Sequence, residues 1–373
     1  MKFKNGHLIT NTNVSDTIQV LNNKDIDGGT ASNTSRLTIP KNTKANLDAL
    51  TRKEGTLVYA TDQSSLYLDN GFTLIEVDLV YNSKFPGNVK GYFVGGFTSG
   101  VVSSSLIDDI NFTSETSSQL SATLSTAKRL GGSVSGTAKG YFGGGFAGAR
   151  TNQISALSFA GETTANLSAT LNTAKMYISG ASGPTKGYYL GGDTSVATNV
   201  IEDQDYLSDT SDVIGATLSG NRFNPAQAAC SNLAAFVAGG SNGSGSLSSI
   251  DKFTFSTTTA SIISATLNTT QQPAVSVCSA TKGYIAGGDT NTTIIEDINF
   301  SNETSNAISA TLSTGIVFTG GVSSTTKGYI GGGASTGAGV GSQIQALTFS
   351  SETIATLGAT LDTARSACGG LHY

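Results

Sequence analysis

Asp108-Asp109, Glu202-Asp203 and Glu296-Asp297 are three pairs of adjacent acids that could do chemistry. Two carboxylates held close can hydrolyse a glycoside or bind Ca²⁺. Adjacent residues of a strand point to opposite faces, however, so no pair forms a site by itself. Carboxylates of neighbouring repeats could still meet. The stronger expectation is solvated strand edges, where charge deters edge-to-edge pairing. His7 and His372 are the only histidines. They permit no Ser-His-Asp or Cys-His set and no cluster of His ligands for copper. Cys230, Cys278 and Cys368 form no paired framework and are expected as buried free thiols. This reading gives no enzyme, no metal and no cofactor.

Composition narrows the class. Charged residues are 13% of the 373, about half the usual share, and the net charge is −5. No basic tract suggests nucleic acid. No apolar run reaches the ~18 residues of a membrane span, and MKFKNGHLITNTNV has no apolar core for a signal peptide. The protein is expected to be made in a cytoplasm, or to leave it without a secretory signal. Glycine (46 residues), Ser and Thr are abundant, with β-branched and aromatic residues at regular intervals. That pattern suits many short strands joined by small polar turns.

The elements that must position any site repeat six times. Gly91, Gly140, Gly187, Ala235, Gly283 and Gly328 each precede a strand aromatic, at spacings of 45–49 residues. Ala-Thr-Leu recurs with the same period, from 122–124 to 359–361. So does an aromatic followed by an acid and Thr, as in Phe112…Glu115-Thr116; the fourth unit departs, with Thr258-Thr259 after Phe255. Residues 129–171 divide into strands RLGGSVS (A), KGYFGGG (B), NQISALSF (C) and TTANLSATL (D). Four strands in 40–50 residues mark a β-propeller blade, whose faces only neighbouring blades can cover. The Gly-Gly after strand B then lets the backbone approach its neighbour closely. The Lys of Lys-Gly-Tyr reads as turn chemistry.

The repeat resembles kelch repeats over about residues 85–373. It has a hydrophobic strand ending in Gly-Gly, an aromatic strand, and a basic residue before the next blade (Lys128, Lys175, Arg222, Arg365). Leu124, Leu171 and Leu218 replace the usual Trp. The expected fold is all-β: a six-bladed kelch-like propeller over residues 81–373, behind an extended N-terminal region, 1–80. The first blade lacks a good strand A, since NSKFPGNV is short and contains Pro86. The chain finishes in a surplus strand A, TARSACGGLHY. Residues 365–373 should therefore close the first blade and remove two exposed sheet edges.

Residues 1–80 show no trace of the period. Lys44–Arg52 is a helix candidate, and GTLVYATDQSSLYLDNGFTLIEV reads as a hairpin pair turning at Asp62-Gln63 and Asn70-Gly71. Leu21-Asn22-Asn23-Lys24-Asp25-Ile26-Asp27-Gly28 and the Gly55…Gly71 segment resemble modules of bacteriophage tail-fibre and related virion proteins. The resemblance covers about 20–78. It implies a homotrimer attached to other virion proteins. Residues 1–40 are too polar to fold alone; three copies could share Leu8, Ile9, Val14, Ile18, Val20, Leu21, Ile26, Leu37 and Ile39.

In an antiparallel blade the B–C and D–A loops share one face, and variable loops on a repeated scaffold carry binding. There the expected ligand-binding residues are Phe97, Lys128, Arg129, Phe146, Arg150, Lys175, Arg222 and Arg365, facing an anionic or neutral glycan. The bland alternative is that the basic residues brace the loops. The functional expectation is a virion protein, a trimeric tail fibre or receptor-binding protein, whose propeller binds a host cell-surface glycan or protein. Alternatives are a capsid decoration or tail and baseplate component, and a cellular kelch-like scaffold.

Overall fold

The computed structural model describes residues 3–4, 7–8, 41–77 and 87–373, apart from 52, 54, 61–64, 70–71, 100–101, 224–226, 273, 289–291 and 336–338. The chain divides into two compact units, 1–81 and 82–373.

In the first unit, helix Lys44–Asp48 starts at Thr43, whose side chain accepts from the Asn46 N–H. Strands Leu57–Ala60, Ser65–Asp69 and Leu74–Val77 form an antiparallel meander, with Lys41–Asn42 parallel to the first. The predicted strand pairings therefore form, the turns expected at Asp62-Gln63 and Asn70-Gly71 lie outside the described residues, and the helix is shorter than expected. Leu47, Val58, Tyr67 and Leu74 make its core. The arm residues expected to trimerise, Ile9 to Ile39, lie outside the described residues.

The second unit is a ring of six four-stranded antiparallel blades, a β-propeller. Blade 2 shows the plan: A Gly132–Ser135, B Lys139–Gly143, C Gln153–Ser158, D Thr163–Thr170. The short A strands crowd the axis and the D strands form the rim. In blade 1 the inner strand is Gly369–His372, antiparallel to Lys90–Val94. The ring thus closes on the predicted segment.

Six apolar clusters, one per seam, span neighbouring blades. In every seam the strand-B aromatic stacks on an aromatic just past strand C of the next blade. Tyr92–Phe159, Tyr141–Tyr206, Tyr188–Phe255, Phe236–Phe300, Tyr284–Phe349 and Phe112–Tyr329 have centroids 5.2–5.7 Å apart. Such pairs add about 0.5–1.5 kcal/mol each beyond the area they bury.

Lys-Gly-Tyr belongs to the same joint rather than to a turn. Lys90 Nζ and Tyr92 Oη donate to Glu162 of the next blade at 2.7 and 3.1 Å. Lys282 and Tyr284 do the same to Glu352, Lys327 and Tyr329 to Glu115, and Lys139 and Tyr141 to Asp209. The receiving acid sits in the C–D turn with φ between 47° and 56°. In the fourth unit Thr258 replaces it, and Lys186 keeps the own-blade partner Asp203, as Lys90 keeps Asp109 and Lys282 keeps Asp297. Blade 4 also lacks the strand-B lysine. Lys252, paired with Phe236 from strand C, takes its place on Glu303.

Small residues at the axis allow a second closure. The Ser135 N–H donates to Ser182 Oγ, the Cys278 N–H to Ser323 Oγ, and the His372 N–H to Ser135 Oγ. The closing strand is therefore bonded sideways to blade 2 as well as within blade 1. Deleting residues 366–373 should expose the Lys90–Val94 edge and lower the thermal midpoint by at least ~10 °C in scanning calorimetry. An unchanged midpoint would show that the ring does not depend on this strand.

Candidate functional site

The four basic residues that precede blades are not at the surface. Lys128, Lys175, Arg222 and Arg365 are at most 2% exposed. Each carbonyl accepts the N–H of the second Gly of Gly-Gly in the preceding blade: Gly96 to Lys128, Gly145 to Lys175, Gly192 to Arg222, Gly333 to Arg365, at 2.8–3.1 Å. The first glycine passes closer still. At Gly191, φ is +65° and a Cβ would lie within 3.0 Å of the Arg222 oxygen, so only glycine fits.

The side chains meanwhile enter the next blade. Arg222 donates to the carbonyls of Val237, Gly239 and Ser249 and pairs with Asp251 at 2.6 Å. Lys175 pairs with Glu202 at 3.0 Å and Arg365 with Asp108 at 2.5 Å. Asp108, Glu202 and Glu296 are thus buried rather than solvated, at most 1% exposed. The second acids face the other way: Asp109, Asp203 and Asp297 pair with Lys90, Lys186 and Lys282 at 2.5–2.7 Å. The adjacent acids do face opposite sides, and every one of them is bound into the scaffold. Gln271 donates to Glu296 at 3.1 Å, the neutral version of the same pin.

Lys128 has no acid opposite; the corresponding strand-C position is Ser155. It donates to the carbonyls of Phe142 and Gln153 at 2.8 and 2.9 Å, its ammonium 5.2 Å from the centre of the Phe142 ring. Burial pulls its pKa down to about 7. Burial also lowers Lys175 and Arg222, opposed by Glu202 and Asp251. The thiols are buried and free, and burial pushes Cys278 up to about 12.

The other expected residues remain near solvent and come together. The Arg129 guanidinium lies between two rings, 5.0 Å from the centres of both Phe97 and Phe146. Backbone bridges tie Arg129 to Phe146, and Phe97 to Ser366. Arg150 pairs with Asp193 at 2.8 Å. Equivalent bridges, Met176–Asp193, Phe223–Ser241 and Val317–Ala334, join D–A to B–C loops around the same face.

Sequence reasoning missed the next position inward. Leu130, Tyr177, Phe318 and Ala367 follow the bridged residues and have φ of 54–61°. Bulky side chains in left-handed backbone are strained by about 1–2 kcal/mol each. A chain of N–H donors holds them: Tyr177 to Leu130 O at 2.7 Å, Leu130 to Ala367 O at 3.4 Å, and Ala367 to Phe318 O at 2.5 Å. Tyr177 lies 6.0 Å from Phe223 and 6.4 Å from Phe318. These rings surround the mouth of the axis. The signal was available in the sequence: each of the four is the sixth residue past the Leu of its Ala-Thr-Leu.

Compared with known proteins, the chain matches no family model and no curated sequence. Its fold and repeat define the class, a six-bladed β-propeller consistent with kelch-like repeats.

Two outcomes test the pins. Arg222→Met should cost about 3–5 kcal/mol in denaturant unfolding, because Asp251 stays buried without its cation; Arg222→Met with Asp251→Leu should recover most of it. For Lys128, the unfolded state binds more protons than the folded between pH 7 and 10.5. Stability should therefore rise through that window, by a few kcal/mol. The gap between wild type and Lys128→Met should move in favour of wild type as pH rises; a constant gap would mean a folded-state pKa near 10.5.

Proposed function

We propose that this chain is a virion adsorption protein, a trimeric tail fibre or receptor-binding protein made in a host cytoplasm. Residues 1–80 trimerise and hold other virion proteins, and the propeller loop face binds a host cell-surface glycan or protein. The observation that carries the reading is the Arg129 guanidinium stacked between Phe97 and Phe146 beside Tyr177, Phe223 and Phe318. Aromatic faces suit the C–H faces of sugars, and the Arg129 guanidinium brings positive charge to the same cluster. Arg150 is neutralised by Asp193, so the cluster suits an anionic or neutral glycan. The tail-fibre resemblance of residues 20–78 supports attachment. Three copies would raise a weak single-site affinity by avidity.

Full-length protein should run as a trimer in light scattering and should adsorb to bacterial cells from a species panel. Arg129→Ala and Phe146→Ala should weaken adsorption at least ~tenfold without moving the thermal midpoint. A monomer, or variants that adsorb like wild type, would sink this reading; adsorption to purified virions in place of cells would point to a structural virion component.

A further inference from the structure

Inside the aromatic mouth lies an axial cavity of about 70 Å³. A water needs roughly 10–15 Å³ of such space, so the cavity admits a group of several heavy atoms but not a sugar ring. Its wall is apolar on one side, where Ile178, Ala274, Val275 and Ala367 line it; Tyr177, Phe318 and Leu130 frame the opening. Its floor is the carboxamide of Gln227. Gln227 Nε2 reaches the carbonyls of Ser133 and Gly370, on two other blades, at 3.4 Å each. Those bonds are long for N–H···O, where about 2.9–3.0 Å is usual, so a better-placed acceptor would compete for the donor. Gln227 also lines the smaller cavity below, and so separates the mouth from the thiols of Cys230 and Cys278. Ser133 lines the upper cavity too. Its hydroxyl lies beside Gly369, is 98% buried by residue (2% exposed), and has no hydrogen-bond partner among the described residues.

We propose that this cavity takes the acetamido group of an N-acetylated sugar. The methyl would lie against Ile178 and Val275, and the carbonyl oxygen would accept from Gln227 Nε2 and the Ser133 hydroxyl. The pyranose ring, too large to enter, would stack on Tyr177 and Phe318. A hydroxymethyl group would leave the apolar wall uncovered, and a carboxylate would find no cation among the residues lining the cavity. This assignment rests on the glycan-binding reading and names its ligand class.

The test is saturation-transfer NMR and titration calorimetry on the full chain, with N-acetylglucosamine and glucose as probes. N-acetylglucosamine should bind, with the strongest saturation at its acetamido methyl, and glucose should bind at least tenfold more weakly. Gln227→Ala and Ser133→Ala should each weaken binding about five- to tenfold, the loss of one neutral hydrogen bond. Tyr177→Ala, at the cavity opening, tests the ring platform and should weaken both sugars. Equal binding of the two sugars, or N-acetylglucosamine binding unchanged in Gln227→Ala and Ser133→Ala, overturns the assignment. Cell adsorption measured on the same protein separates the two readings: adsorption without discrimination between the sugars removes the cavity assignment alone. Discrimination without adsorption removes the virion reading and leaves the cavity assignment.

Discussion

Four of the six joints of the propeller depend on one residue that works in two directions. The residue four places after Ala-Thr-Leu gives its carbonyl to the Gly-Gly of the blade behind it. Its side chain, where it is Lys or Arg, runs into the blade ahead. A linker of a few residues becomes a pin fixed at both ends. This is why the glycines recur: any side chain on the first would displace that carbonyl. It is also why ions sit in an otherwise apolar seam. A cation that caps strand carbonyls from within answers the desolvation problem of both, provided that the opposite blade supplies an acid or enough carbonyls.

Much of this architecture was legible in the sequence. Strand order, the C–D hairpin and the closing role of residues 365–373 follow from alternation and from counting strands per period, because these depend on local pattern and on the need to pair edges. The roles of the charges do not. Lys128 and Arg129 are adjacent and alike in type, yet one is sealed in a seam and the other stacks at the surface. What separates them is the partner, which lies 27 residues on in Lys175–Glu202 and 29 in Arg222–Asp251, and at the other end of the repeat sequence in Arg365–Asp108. Aligning each linker with strand C of the following repeat exposes the match: Lys or Arg opposite an acid, Gln271 opposite Glu296, Lys128 opposite Ser155. The clamp from Lys-Gly-Tyr to the next C–D turn is legible in the same way. Where Thr258 removes the acid, the lysine of the preceding unit is left with the own-blade acid that Lys90 and Lys282 also bind.

Once those groups are assigned to the scaffold, the distribution of what is left becomes informative. The seams hold nearly to six-fold repetition: six aromatic stacks and six Gly-Gly bends. The mouth does not. Its inward positions are Leu130, Tyr177, Phe318 and Ala367 under one backbone geometry, and the residues before them are Arg129, Met176, Val317 and Ser366, with Phe223 bridged in the same way in another blade. The structural requirement there is met by backbone alone, through the N–H to carbonyl chain. Side-chain identity at the mouth is thus released from the demands of folding, while left-handed backbone at Tyr177 and Phe318 is held against its own preference. A scaffold that fixes main chain and frees side chains around a shallow axial cavity is what the proposed glycan recognition requires, and the aromatic rim with Arg129 is the chemistry on which that proposal rests.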